Sequence, residues 1–172
     1  MTPGANQFPS SNNDEGSNLR TISPQSRPPA PSKRKRILVV DDNKVILKAM
    51  AFKLKSSGYD VLMAEDGSEA VSTARQQKPD LILLDINFPP DVAHGGGVPW
   101  DGFLIMDWLR RLKEAQEIPV IIVTGGEAAT YKERALAAGA VGFFQKPVKP
   151  EELLAAIRQA LGETAGAIPP SA

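Results

Sequence analysis

The chain has 172 residues, 42% hydrophobic and 23% charged, the composition of a globular domain with a real core and some chain to spare. It has no cysteine, which excludes disulfide frameworks and thiolate zinc sites, and His94 is its only histidine. Formal net charge is zero, no apolar run approaches the roughly 20 residues that span a bilayer, and the N-terminus lacks the apolar core of a signal peptide. A soluble, cytoplasmic protein is expected.

Residues 1–34 are rich in Pro, Ser, Asn and Gly and poor in branched side chains, so they cannot bury enough apolar surface to offset their ordering entropy. They read as a disordered tail with a basic end, Lys33-Arg34-Lys35-Arg36, which is a solubilising edge rather than a nucleic-acid site, because no DNA-reading motif follows it. The domain proper is expected over 35–162.

Its first strand is the apolar run 37–40, which ends in Asp41-Asp42; helical spacing of Leu47, Met50, Ala51 and Leu54 follows over 44–57, closed by Gly58. A weaker strand at 60–64 precedes a helix at 68–77 with Ser68 as a plausible N-cap. Leu81-Ile82-Leu83-Leu84-Asp85 is the most buried-looking strand, four branched residues ending in one carboxylate. Residues 87–101, rich in Pro and Gly, form a long loop before a helix over about 102–115. The remaining pattern gives a strand at 119–124, a helix at 128–138 capped by Gly139, and a short strand at 142–145. A last helix at 150–161 carries Glu151 and Glu152 at its positive end, and residues 163–172 read as a short flexible tail.

Five strands alternating with five helices imply parallel pairing through right-handed crossovers. The expected fold is α/β, a flavodoxin-like doubly wound sheet of order 2-1-3-4-5 in a three-layer αβα sandwich, which puts the three most apolar strands in the centre. The carboxyl ends of the strands then bring together Asp41, Asp42, Asp85, Thr124 and Lys146. Three converging carboxylates repel one another and invite a divalent cation, and an all-oxygen set suits Mg²⁺. Lys146 and Thr124 suit an incoming phosphoryl group, and Asp85 is the candidate nucleophile. Each residue alone has an ordinary structural use, as cap, strand end or loop; the coincidence of all of them at matched strand ends favours the functional reading.

At this point the chain resembles the receiver domain of response regulators in two-component signalling. The resemblance spans about residues 35–161, through Ile-Leu-Val-Val-Asp-Asp, Leu-Ile-Leu-Leu-Asp-Ile-Asn, Pro-Val-Ile-Ile-Val-Thr-Gly and Ala-Ala-Gly-Ala-Val-Gly-Phe-Phe-Gln-Lys-Pro. It implies that Asp85 is the phosphoacceptor, that Asp42, Asp85 and the backbone carbonyl of Asn87 hold Mg²⁺, and that Asp41 acts largely through water. It further implies that Lys146 pairs with the phosphoryl group, that the Lys146–Pro147 bond is cis, that Thr124 and Phe143 are the switch residues, and that helix four, with Tyr131 and Arg134, changes its surface with them.

One departure stands out: Asp101-Gly102 follows the phosphoacceptor late, which implies an insertion within residues 88–100, with Phe88 in place of the usual Met. His94 inside it reads as a loop residue, since no second histidine or any cysteine could share a metal. The resulting expectation is a stand-alone receiver, phosphorylated by a histidine kinase or phosphotransfer protein and signalling by protein contact through helix four, strand five and helix five. It is not expected to be an enzyme beyond promoting its own phosphorylation and dephosphorylation, nor to bind membrane or nucleic acid. Two rivals are a receiver-like scaffold without phosphate turnover and an aspartyl-nucleophile phosphatase or phosphotransferase. The second lacks a general acid at position 87, which is Asn.

Overall fold

A computed structural model describes residues 33–87, 101–126 and 128–163. The readings that fall on residues 1–32, on residues 88–100, where an insertion containing His94 is expected, and on 164–172 lie outside the described residues. The elements run β1 (Arg36–Val40), α1 (Lys44–Ser56), β2 (Asp60–Ala64), α2 (Gly67–Gln77), β3 (Leu81–Leu84), α3 (Gly102–Arg111), β4 (Val120–Thr124), α4 (Ala128–Ala137), β5 (Gly142–Gln145) and α5 (Pro150–Ala160). All strand pairs are parallel and the order is β2-β1-β3-β4-β5, as the alternation implied.

Successive strand residues point to opposite faces of a sheet, and the core divides accordingly. Leu38, Val40, Ile82, Leu84, Val120 and Ile122 pack on the side of α2, α3 and α4 with Ala70, Ala74, Ile105, Met106, Leu109 and Ala135. Ile37, Val39, Leu81, Leu83, Ile121 and Val123 pack on the other side with Leu47 and Leu54 of α1 and Leu153 and Ile157 of α5. All four residues of β3 are buried, because a central parallel strand is covered on both faces; each such side chain contributes roughly 1.5–3 kcal/mol. The chemistry-bearing residues are thereby left to the strand ends.

Most helix ends fall within one residue of the sequence reading, and two differ in a way that side chains explain. The N-cap of α2 is Asp66 rather than Ser68: its backbone is extended and its side chain accepts the Glu69 N–H at 2.7 Å, while Glu69 Oε2 accepts the Glu65 N–H at 2.8 Å. Helix α3 stops at Arg111 instead of continuing to 115. Arg110 draws together the turn that follows, its guanidinium donating to the carbonyls of Gln116 at 2.5 Å, Ile118 at 3.3 Å and Gly139 at 2.7 Å, and this lets Ala115 and Ile118 bury.

At the opposite end of the sheet from the site, Asp80 ties β3 to β1. Its Oδ2 accepts the Arg36 N–H at 2.8 Å and its Oδ1 accepts Lys35 Nζ at 3.2 Å. Burial pushes the Asp80 carboxyl up, but the hydrogen bonds from Arg36 and Lys35 and their charges outweigh it, and the net direction is below the usual carboxylate range. A carboxyl depressed on folding contributes stability that is present above its unfolded pKa of about 3.9 and is lost as the pH falls through the lower folded value. Because the side chain is 34% exposed, Asp80→Asn is expected to cost only about 1 kcal/mol at neutral pH, and the gap to wild type should close in acid. Urea melts from neutral pH into acid check this; a gap that stays constant would show that the charge plays no part.

Candidate functional site

The site stands at the carboxyl ends of β1, β3, β4 and β5. Strand β1 delivers Asp41 and Asp42, β3 delivers Asp85, β4 ends on Thr124, and Lys146 follows β5. The register holds them level, with Val40 opposite Leu84 and Thr124 opposite Gln145. Asp41, Asp85 and Thr124 are 4%, 6% and 0% exposed, among the few buried polar side chains of the described residues, and such groups persist only when their partners are in place.

Those partners are present. Asp41 and Asp85 use their oxygens in the same way: each Oδ1 accepts the backbone N–H two residues on, from Asn43 and from Asn87, at 2.9 Å. Each Oδ2 accepts Lys146 Nζ at 2.6 Å, so one ammonium bridges two strand ends. Lys146 is itself placed by its backbone N–H, which donates to the Thr124 carbonyl at 2.8 Å, and the bond to Pro147 is cis. Thr124 Oγ1 accepts the Gly126 N–H at 3.2 Å.

Electrostatics follow from this crowding. Burial pulls the Lys146 pKa down, but hydrogen bonds to Asp41 and Asp85 and their charges overcome it, leaving the ammonium held above its ordinary value. Asp42 is raised, first by burial and then by the charges of Asp41 and Asp85; a backbone hydrogen bond and Lys146 only partly offset these. One carboxylate oxygen from each of Asp41, Asp42 and Asp85 lies within 4.8 Å of the others. An oxygen-only cluster of three carboxylates against one ammonium fits a hard divalent cation such as Mg²⁺, which takes few protein ligands.

All five strand-end residues expected from the sequence are therefore in one place. Asn87 sits beside them through its backbone hydrogen bond to Asp85. Phe143 lies on β5 opposite Ile122, half-buried against the core side of α2, α3 and α4. Two contributors were not picked out from the sequence. Asn43 caps α1 with its side-chain oxygen on the Val45 and Ile46 N–H groups while its own N–H orients Asp41, a role that Asp-Asp-Asn directly before a helical pattern signals. Gly102, the first residue of α3, donates its N–H to the Ile86 carbonyl at 3.2 Å and so ties the start of α3 to the residue after Asp85.

Comparisons with known proteins agree with this geometry. The sequence is 35% identical over 137 residues to the alkaline phosphatase synthesis transcriptional regulatory protein PhoP of Bacillus subtilis (strain 168), covering 80% of this chain and 52% of that protein; the chain thus spans about half the length of this relative. A CheY-like receiver domain protein from Methanospirillum hungatei JF-1 superposes with a TM-score of 0.66 at 30% identity, over 76% of this chain and 96% of that one. The chemotaxis protein CheY4 of Vibrio cholerae gives 0.65 at 29%, over 74% and 99%. The receiver domain of a sensor histidine kinase from Pseudomonas aeruginosa PAO1, whose active-site cleft coordinates a magnesium ion, gives 0.65 at 30%, over 76% and 99%. Residues 37–158 match the response regulator receiver domain model, and with the acid cluster at the ends of a 2-1-3-4-5 sheet this establishes that the chain belongs to the response regulator receiver domain family of two-component signalling.

Proposed function

We propose that Asp85 accepts a phosphoryl group from a phosphohistidine of a histidine kinase or phosphotransfer protein, and that the phosphorylated domain signals by protein contact. The observation that carries this reading is the buried Asp85 carboxylate with Oδ2 2.6 Å from Lys146, facing Asp41 and Asp42. In the transfer, an Asp85 oxygen forms a bond to phosphorus as the P–N bond breaks, and the imidazole leaves with the electron pair. A bound Mg²⁺, held by Asp42, Asp85 and the backbone carbonyl of Asn87 with Asp41 acting largely through water, would supply positive charge opposite the phosphoryl oxygens. Lys146, charged at neutral pH, then exchanges a carboxylate for a phosphoryl oxygen, and the Thr124 hydroxyl donates to another.

The new group brings a charge of about −1.5 to −2. Thr124 and Lys146 moving toward it carry the end of β4 and the residues after β5, so Phe143 on β5 and the surface of α4 respond. Leu136 on α4 and Val141 before β5, 47% and 57% exposed, offer apolar contacts to a downstream protein at the α4, β5 and α5 face. No helix among the described residues is long and apolar enough to cross a membrane. The protein would be a phosphoacceptor that promotes its own phosphorylation and dephosphorylation, not an enzyme acting on a separate substrate.

The test is incubation with acetyl phosphate and Mg²⁺, read by intact mass and peptide mapping. One phosphate is expected, on Asp85, and none on Asp85→Asn. A wild-type mass that does not change would leave the receiver as a scaffold without phosphate turnover.

A further inference from the structure

Over Gly126, whose N–H holds Thr124 Oγ1, there is a space that a residue five positions further on fills. Gly126 has no side chain, and a Cβ built on it would stand 2.7 Å from Cε2 and 3.0 Å from Cδ2 of Tyr131, and 3.1 Å from Nδ2 of Asn87. The edge of the Tyr131 ring therefore occupies the space in which a residue at 126 would place its own side chain. Asn87 and Gly126 both reach the reacting groups through their backbones, Asn87 N–H on Asp85 Oδ1 and Gly126 N–H on Thr124 Oγ1. Tyr131 thus shares with the Asn87 side chain the space over Gly126, whose amide fixes the hydroxyl, next to the residue whose amide fixes the nucleophile.

Its position is not accidental. Tyr131 is half-buried, and on its other flank the Phe103 ring lies 6.1 Å away, tilted by 36°. The guanidinium of Arg134 lies 3.8 Å from the Phe103 ring centre and reaches to within 4.0 Å of Asp101, the N-cap of α3. This stack clamps the first turns of α4 to the first turn of α3.

We propose that Tyr131 is a positioning residue for the phosphoryl site: it walls the flank formed by Asn87 and Gly126 and so sets how readily water reaches phospho-Asp85. The proposal rests on the phosphoacceptor reading of Asp85. In the step concerned, a water oxygen bonds to phosphorus as the bond from phosphorus to the Asp85 oxygen breaks, the carboxylate leaves with the electron pair, and the water protons pass to phosphate and solvent. Removing the ring opens a path on that flank and leaves Gly126 and the Asn87 side chain without their neighbour.

The experiment phosphorylates wild type, Tyr131→Phe, Tyr131→Leu, Tyr131→Ala and the double variant Tyr131→Ala with Gly126→Leu, using acetyl phosphate and Mg²⁺, then follows decay by intact mass after the donor is removed. Tyr131→Ala should decay about fivefold faster, Tyr131→Phe at the wild-type rate, Tyr131→Leu in between, and the double variant close to wild type because a side chain at 126 refills the wall. Amide hydrogen exchange of the metal-free, unphosphorylated protein supplies a second readout: Asn87 and Gly126 should exchange faster in Tyr131→Ala and return in the double variant, which a uniform loss of stability would not reproduce. Wild type that takes up no phosphate overturns the reading of Asp85 and the role with it. Phosphorylated wild type with equal lifetimes in every variant, or a Tyr131→Ala effect that Gly126→Leu leaves untouched, overturns the Tyr131 assignment alone.

Discussion

Gly102→Ala is expected to be among the most damaging single substitutions in this domain, although it adds one methyl group at the first turn of an otherwise ordinary helix. The added Cβ would collide with the Cα of Ile86, stand 2.6 Å from Ile86 Cγ2 and 2.8 Å from the Asp85 carbonyl oxygen. Two of these three are backbone atoms, so no rotamer change relieves the overlap. Either α3 backs away from β3, breaking the Gly102 N–H bond to the Ile86 carbonyl, or the segment carrying Asp85 is pushed aside. Overpacking of this kind costs typically 1–3 kcal/mol and more where backbone must move, and about 3 kcal/mol is expected here. In a domain of this size that lowers Tm by roughly 10 °C. Phosphate uptake from acetyl phosphate should fall as well, since Asp85 lies at the point of collision. Guanidinium melts and the mass assay check the two halves. An unchanged midpoint would mean that α3 shifts freely, and that the close approach of Gly102 to Ile86 is no constraint on the site.

Much of this was legible in the residues because the chemistry sits at strand ends. Runs such as Leu81–Leu84 and Val120–Thr124 are apolar enough to be central parallel strands, and their alternation with helical periods leaves few topologies. Once the order is known, Asp41, Asp42, Asp85, Thr124 and Lys146 converge by topology alone. What the residues do not disclose depends on side-chain contacts that only the folded chain makes. Nothing near Arg110 signals that its guanidinium will gather the carbonyls of Gln116, Ile118 and Gly139 and end α3 early. Tyr131 reads as one aromatic on the surface of a helix; only the folded chain shows it against Gly126 on one side and Phe103 on the other. The cap of α2 is a different case, because Asp66 followed by Glu69 carries the spacing of a reciprocal cap that Ser68 lacks.

Lys146→Met is the second substitution with a large expected effect, and it separates the two roles of the lysine. Its Nζ lies 2.6 Å from both Asp41 Oδ2 and Asp85 Oδ2, and both carboxylates are nearly inaccessible to water. Taking the ammonium away leaves two buried like charges facing each other across the site, with Asp42 close by. Removing one partner of a buried ion pair costs about 3–5 kcal/mol, and a loss near the lower end is expected because each Oδ1 keeps its backbone hydrogen bond. The pH dependence has a definite sign. Folding raises the Lys146 pKa, so the stability it contributes is present in full below the unfolded value of about 10.4 and is lost as the pH rises through the folded value. The gap between wild type and Lys146→Met should thus hold through neutral pH and narrow only in strong alkali. Adding Mg²⁺ should raise the midpoint of Lys146→Met more than that of wild type, since a cation among the acids relieves the repulsion the lysine had relieved. Asp85→Asn in the Lys146→Met background should recover most of the lost stability by removing one of the two charges, with no recovery of phosphate uptake. Urea melts with and without Mg²⁺ measure all of this. A single variant as stable as wild type at pH 7, or a double variant no more stable than the single, would show that Lys146 does not hold the two carboxylates together in the resting domain.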